Sequence, residues 1–176
     1  DVYVGSDCPL ACSGHGDCVN GACVCDQGYA AHAERGCAAA SGTQREFREA
    51  FSGPAASAER WLEVRGGGVS STGGGCGVIA DGASMHFDGE GARFMETVDL
   101  NMTHARFLEF VVSTGYSQSS YCQGISTDSQ GVIFAYSTNA GYTWNVLDSG
   151  TWATPTHRFY ELPPAAKTEY TRFIWW

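Results

Sequence analysis

Six of the chain's eight cysteines lie between Cys8 and Cys37, and the other two, Cys76 and Cys122, stand alone in the remaining residues. Within the first group the spacing is Cys8-x3-Cys12-x5-Cys18-x4-Cys23-x-Cys25-x11-Cys37, interleaved with Gly14, Gly16, Gly21, Gly28 and Gly36. A segment this short, with its large apolar residues scattered singly, cannot bury a core, so cross-links must replace packing. That requires an oxidising, extracellular setting. Zinc is the competing use of such thiolates, but structural zinc sites favour paired Cys-x2–4-Cys knuckles. An even set of six fits a disulfide framework better, although spacing alone does not choose among the possible pairings.

The run Cys12-Ser13-Gly14-His15-Gly16-Asp17-Cys18, followed by Gly21-x-Cys23-x-Cys25 and Gly28-Tyr29, resembles an epidermal-growth-factor-like (EGF-like) module over residues 7–37. The resemblance implies the bonds Cys8–Cys18, Cys12–Cys23 and Cys25–Cys37. Calcium-binding members carry an acidic motif before the first cysteine. Here Gly5-Ser6-Asp7 stands in its place, so no calcium is expected in this module. His15 falls in the Ser-Gly-His-Gly turn common to such modules and is expected to be an exposed loop residue.

The remainder divides into a small, polar connection over residues 38–46 and a second unit over 47–176, with the EGF-like module taking residues 1–37. Phe47, Ala50 and Phe51 have helical spacing, but Gly53-Pro54 stops the pattern too soon for a helix of any length. Beyond it the pattern is that of strands: Trp61–Val64, Ser84–Phe87, Arg106–Ser113, Val132–Ser137, Tyr142–Leu147 and Thr171–Trp176, separated by Gly, Asn, Asp and Ser. The β-branched and aromatic content of Arg106–Val112 and of Val132–Tyr136 predicts strands buried on both faces. Many short strands and no persuasive helix predict an all-β chain, an EGF-like module followed by an antiparallel β-sandwich. Cys76 and Cys122 would then pair across the sandwich or pin a loop to it.

Ser137-Thr138-Asn139-Ala140-Gly141-Tyr142-Thr143-Trp144 matches the Asp-box pattern repeated in bacterial sialidases, with Asn139 in the place of Asp. Physically it is a hairpin device: Asn139 can bond its own backbone and tolerate a left-handed conformation, Gly141 accepts positive φ, and Trp144 can fold over the turn.

The order of motifs across residues 44–176 carries a wider resemblance. Glu49-Ala50-Phe51-Ser52-Gly53, Trp61, Cys76-Gly77-Val78-Ile79 and Ala83-Ser84-Met85-His86-Phe87 come first. Arg93-x3-Thr97-x2-Leu100, Leu108-Glu109-Phe110, Cys122, the Asp-box, Leu162-Pro163-Pro164-Ala165-Ala166 and Thr171-Arg172-Phe173-Ile174-Trp175-Trp176 follow. This is similar to the reelin subrepeat, in which a jelly-roll sandwich bearing an Asp-box accompanies an EGF-like module. The resemblance implies binding rather than chemistry. It also implies one structural Ca2+ held by hard oxygen ligands, for which Glu49, Asp81, Asp88 and Glu169 are candidates. Asp81, Asp88 and Glu90 are a second acidic group that could bridge a cation to a partner.

Asn101-Met102-Thr103 is an N-glycosylation acceptor in a chain already assigned to the secretory route. The net charge of -9, from 10 basic and 19 acidic residues, would repel a phosphate backbone, so nucleic acid is excluded as a partner. No apolar run is long enough to span a bilayer and no membrane contact is expected. With no basic-then-apolar leader at its start, the chain is expected to be a mature, excised fragment.

Enzyme readings find no support. No motif fixes a pair of carboxylates across a cleft, as glycoside hydrolysis needs. There is no Gly-x-Ser-x-Gly turn, and His15, His32, His86, His104 and His157 lack the spacing of zinc hydrolases. The expected function is therefore a non-catalytic extracellular interaction module, one repeat of a larger adhesion, matrix or signalling protein, contacting neighbouring repeats and other extracellular proteins. The alternatives are a lectin-like sandwich binding glycans through Tyr116, Tyr121 or Trp152, and a subunit of an extracellular filament or coat.

Overall fold

The computed structural model describes residues 8–26, 29–33, 36–39, 47–72, 79, 82–88, 90–115, 122 and 131–176. Among them there is no α-helix, and every strand pairing is antiparallel. The all-β class expected from the sequence, a cross-linked EGF-like module followed by a β-sandwich, is the class observed.

The EGF-like module opens with a 3-10 turn, Pro9–Gly14, followed by two hairpins. Strands β1 (Gly16–Val19) and β2 (Ala22–Cys25) form the first, and β3 (Tyr29–His32) and β4 (Gly36–Ala39) the second. The disulfides are Cys8–Cys18, Cys12–Cys23 and Cys25–Cys37, the pairing implied by the family resemblance. They are also the core: Cys8, Cys12 and Cys37 are buried, with Cys23, Cys25 and Tyr29 packed on them. Gly16 is needed where the hairpins cross, because a Cβ there would sit 2.8 Å from the Cys25 Cα and 2.9 Å from the Cys37 sulfur. Strand β4 continues past Cys37 to Ala39, two residues into the expected connection; the rest of it, residues 40–46, lies outside the described residues.

The sandwich is built around a five-stranded sheet. Its order is β11 (Asn145–Gly150), β10 (Val132–Ser137), β13 (Arg172–Trp175), β8 (Phe94–Thr97) and β5 (Trp61–Arg65). Across the core lies the pair β9 (Phe107–Val112) and β12 (Thr156–Glu161), while β6 (Gly67–Ser70) and β7 (Ser84–Phe87) form a separate hairpin. The expected strands at 61, 84, 106, 132 and 171 are all present. The expected strand from Tyr142 starts three residues later, at Asn145, because Tyr142–Trp144 belong to the turn. Strands β6, β8 and β12 were not anticipated. The short helical pattern at Phe47 forms no helix: residues 47–52 run as irregular chain.

Phe134 is the hub of the core. The rings of Trp175 (4.8 Å), Phe110 (5.1 Å), Tyr160 (5.1 Å) and Phe173 (5.7 Å) surround it, and Val98, Leu100, Leu162 and Ala166 close the ends. Trp175 also meets Trp61 edge-on. Since the side chains of a strand alternate between faces, the partners of Phe134 identify the inner face of each sheet. Residues between them on the large sheet, Ala135, Ser137, Arg172 and Glu96, belong to its outer face. All four are nonetheless buried, so β10 and β13 are covered on both sides.

On β9 the outcome differs from expectation. Phe107 and Glu109 are exposed while Leu108 and Phe110 pack inward, so this strand is covered on one face only. Its β-branched and aromatic content reported strand propensity correctly, but burial depends on what lies above the sheet.

Candidate interaction surfaces and the module junction

The outer face of the large sheet holds a buried charge cluster. Arg172 is wholly inaccessible; its Nε donates to Asp99 Oδ1 at 2.6 Å, and its Nη1 donates to Glu96 Oε1 at 3.0 Å and to the Ala140 carbonyl at 3.1 Å. Nη2 has no hydrogen-bond partner among the described residues. Burial raises the Glu96 carboxyl above its usual range despite Arg172 beside it. For Arg172, burial opposes the charge, but Asp99 and then Glu96 outweigh it and hold the guanidinium above its ordinary value. One cation against two acids ties β13 to β8 and to the Asp-box turn.

The Asp-box is a hydrogen-bonded knot. Asn139 Oδ1 accepts from the Ser137 hydroxyl (2.9 Å) and from the Thr143 N–H (3.0 Å), while its Nδ2 donates to Thr143 Oγ1 (2.9 Å). Ser137 Oγ in turn accepts from the Gly141 N–H at 2.9 Å. The expected roles hold for Gly141, at φ +85°, and for Trp144, whose ring lies against it. The second left-handed residue is Ala140 (φ 57°) and not Asn139. Asn139 works through its side chain, and the strained position falls to a residue with the smallest possible Cβ-bearing side chain because it is fully buried over Arg172.

The EGF-like module covers this face. His15, expected to be an exposed loop residue, is half-buried and stacked on Tyr29 with ring centroids 4.2 Å apart. Burial, and then the field of Arg172, lower its pKa. Tyr29 is pushed up to about 12 by burial and by Glu96. A second contact places His32 against Tyr170, 5.9 Å between centroids. Nothing in the sequence paired these residues, since the tertiary fold alone brings them together.

Nothing among the described residues covers the opposite outer face, that of β9 and β12. Phe107 and Phe159 stack on each other there at 4.9 Å while remaining 50% and 58% exposed. His157 and Glu109 pair at 3.3 Å beside them. Arg106, Glu161 and Lys167 border a shallow hollow of about 350 Å³ against the two rings. On the inner side of β12, Arg158 lies between the rings of Trp152 and Tyr160, 5.3 Å from each, and pairs with Asp148 of β11. Burial works against the Asp148 charge, yet hydrogen bonds from Tyr160 and Arg158 hold its carboxyl below the usual range. Trp152, a candidate sugar platform, is thus partly covered by Arg158; Tyr116 and Tyr121 lie outside the described residues.

The calcium candidates are dispersed in role. Glu49 Oε1 accepts from the Phe51 N–H (2.7 Å) and Oε2 from Trp61 Nε1 (2.9 Å), which pins the entry segment to β5. Asp88 is exposed beside His86, Glu169 is exposed in the turn before β13, and Asp81 lies outside the described residues. Of the second acidic group, Asp88 and Glu90 are both exposed. Among the described residues, the only three potential metal ligands close enough to share an ion are Cys8, Cys12 and Cys23, all spent in disulfides. Cys122 is buried and disulfide-bonded; Cys76 lies outside the described residues.

The Asp-box, the Arg172 strand and the sandwich around them coincide with a family model described as Reelin subrepeat B, which matches residues 66–176. The chain belongs to the reelin subrepeat B family. Residues 8–31 match a second family model, a teneurin-like EGF domain. In this reelin-type chain the EGF-like unit extends beyond that match, since its third disulfide reaches Cys37. Three disulfides and two families of extracellular domains identify an extracellular chain. No helix among the described residues is long and apolar enough to cross a membrane.

Proposed function

We propose that this reelin-type unit is a non-catalytic interaction and structural module, one repeat of a larger adhesion, matrix or signalling protein. Its partners are neighbouring repeats and other extracellular proteins. The observation that carries the reading is how the chain uses its strongest charges. Arg172, Glu96 and Asp99 are sealed beneath the Asp-box and the EGF-like module, where they hold strands together and meet no solvent. Acid–base chemistry needs the opposite, a titratable group open to a substrate. His15 and Tyr29 lie in the field of this cluster and His32 meets Tyr170, which supports a reading in which the EGF-like module and the sandwich move as one unit, suited to transmitting position along a chain of repeats.

15N relaxation tests the rigidity: one rotational correlation time for both units is expected, and separate tumbling would overturn the reading. Turnover of chromogenic ester or glycoside substrates that is lost in Glu96→Gln would also overturn it.

An N-linked glycan at Asn101 belongs to the same proposal. Asn101 Oδ1 accepts from both the Thr103 hydroxyl (2.6 Å) and the Thr103 N–H (3.3 Å). The turn leaves the amide nitrogen without a hydrogen bond among the described residues. Peptide-N-glycosidase should lower the mass of the chain secreted from animal cells, and Asn101→Gln should already run at the lower mass. An unchanged mass in the parent chain would sink the assignment.

A further inference from the structure

We infer that the outward face of the β9–β12 pair docks onto a second module of the same kind. The inference rests on the module reading above and names the surface that reading requires. The two outer faces of the sandwich are unequal: the EGF-like module covers one, and nothing among the described residues covers the other. On the uncovered face the strand alternation that sends Leu108, Phe110 and Tyr160 into the core sends Phe107 and Phe159 into water. Two stacked, half-exposed phenylalanines toward one end of the β9–β12 ladder are an apolar anchor awaiting cover.

Charge selects the occupant. Arg106 and Lys167, the chain's only lysine, border the rings and have no ion-pair partner among the described residues, whereas Arg60, Arg65, Arg158 and Arg172 are each paired with a carboxylate. The chain carries 19 acids against 10 bases, so another module of this composition presents surplus carboxylates to two unspent cations. A sulfated polysaccharide would need a row of cations; here Glu161 and Glu109 interrupt the two that exist. Phenylalanine also offers a sugar no hydrogen bond, while it fits the apolar centre and polar rim of a protein–protein contact.

Sedimentation velocity on the 176-residue chain tests this. Self-association should appear between about 10 µM and 1 mM, the range of a small interface, and weaken as salt is added. Phe107→Ser/Phe159→Ser should raise the dissociation constant at least about tenfold. Lys167→Glu should weaken association and reduce its salt dependence, with near-ultraviolet circular dichroism showing both variants folded. A chain that stays monomeric throughout that range overturns the inference, as do folded variants that associate like the parent. So does a heparin oligosaccharide that shifts the Phe107 and Phe159 resonances of a monomeric chain. Monomeric behaviour with a single correlation time would remove this docking face and leave the module reading intact; separate tumbling of the two units would remove the reading itself.

Discussion

The two outer faces of the sandwich make an instructive pair. Over the five-stranded sheet, an arginine and two acids are buried under the Asp-box turn and the EGF-like module; over the β9–β12 pair, two phenylalanines lie half in water. By polarity alone the assignment would be reversed, with charges outside and rings inside. The difference is one of cover. A buried charge is tolerated where its hydrogen bonds are made, and an exposed ring is expected where a partner completes the surface. The covered face fixes the internal geometry of the unit, and the bare face is available for contacts between units.

The largest effects should come from the covered face. Arg172→Met leaves Glu96 and Asp99 buried without their cation and should cost about 3–5 kcal/mol, read as a large fall in Tm. Glu96→Gln is the control. It keeps an oxygen for Arg172 Nη1 and removes the surplus negative charge, whose burial already raises the Glu96 pKa, so stability at neutral pH should change by less than about 1 kcal/mol. A severe loss in Glu96→Gln would mean that its charge, and not its hydrogen bond, holds the face together.

Next in size is Asn139→Ala, which removes the acceptor for Ser137 and Thr143 and should cost about 1–2 kcal/mol by chemical denaturation. Asn139→Asp retains both acceptor bonds and should stay near the parent. On the bare face, Phe159→Ser should cost no more than about 1 kcal/mol, although association suffers. A Tm loss as large as that of Arg172→Met would show that the ring serves the fold and not a partner.

The smallest effect is the pH dependence of the junction. The His15 pKa is lowered in the folded state by burial, so its neutral form is favoured there. Its contribution is present above the unfolded value of 6.5 and is lost as pH falls from there through the lower folded value. Tm measured from pH 7.5 downward should decline over that acid window more in the parent than in His15→Gln. Identical profiles would show that His15 does not report on docking of the EGF-like module.

Much of this was legible in the chain itself. The six clustered cysteines announced a unit without an apolar core, and its pairing followed once the Ser-Gly-His-Gly turn suggested a family. The Asp-box residues declared a hairpin because each is a turn former for a local reason. Strands rich in β-branched and aromatic residues, such as Val132–Ser137, were visible; β6 and β8 were not, since Gly67, Gly68 and Glu96 are poor strand formers recruited by their neighbours. Arg172 attracted notice only as part of the closing Thr-Arg-Phe-x-Trp-Trp motif. Its partners, Asp99 and Glu96, are 73 and 76 residues away, and no local pattern links them.

The sequence by itself determined what depends on near neighbours: a first unit held by cross-links and not by packing, the hairpin knot and the all-β class. The tertiary structure alone decided which faces are covered. His15 became a half-buried junction residue because a second unit lies against its turn, and Phe107 became a surface residue because no described segment lies over its strand. The physical reason is that turn geometry and cross-link reach act over a few residues, whereas burial is set by whichever distant segment arrives above a side chain.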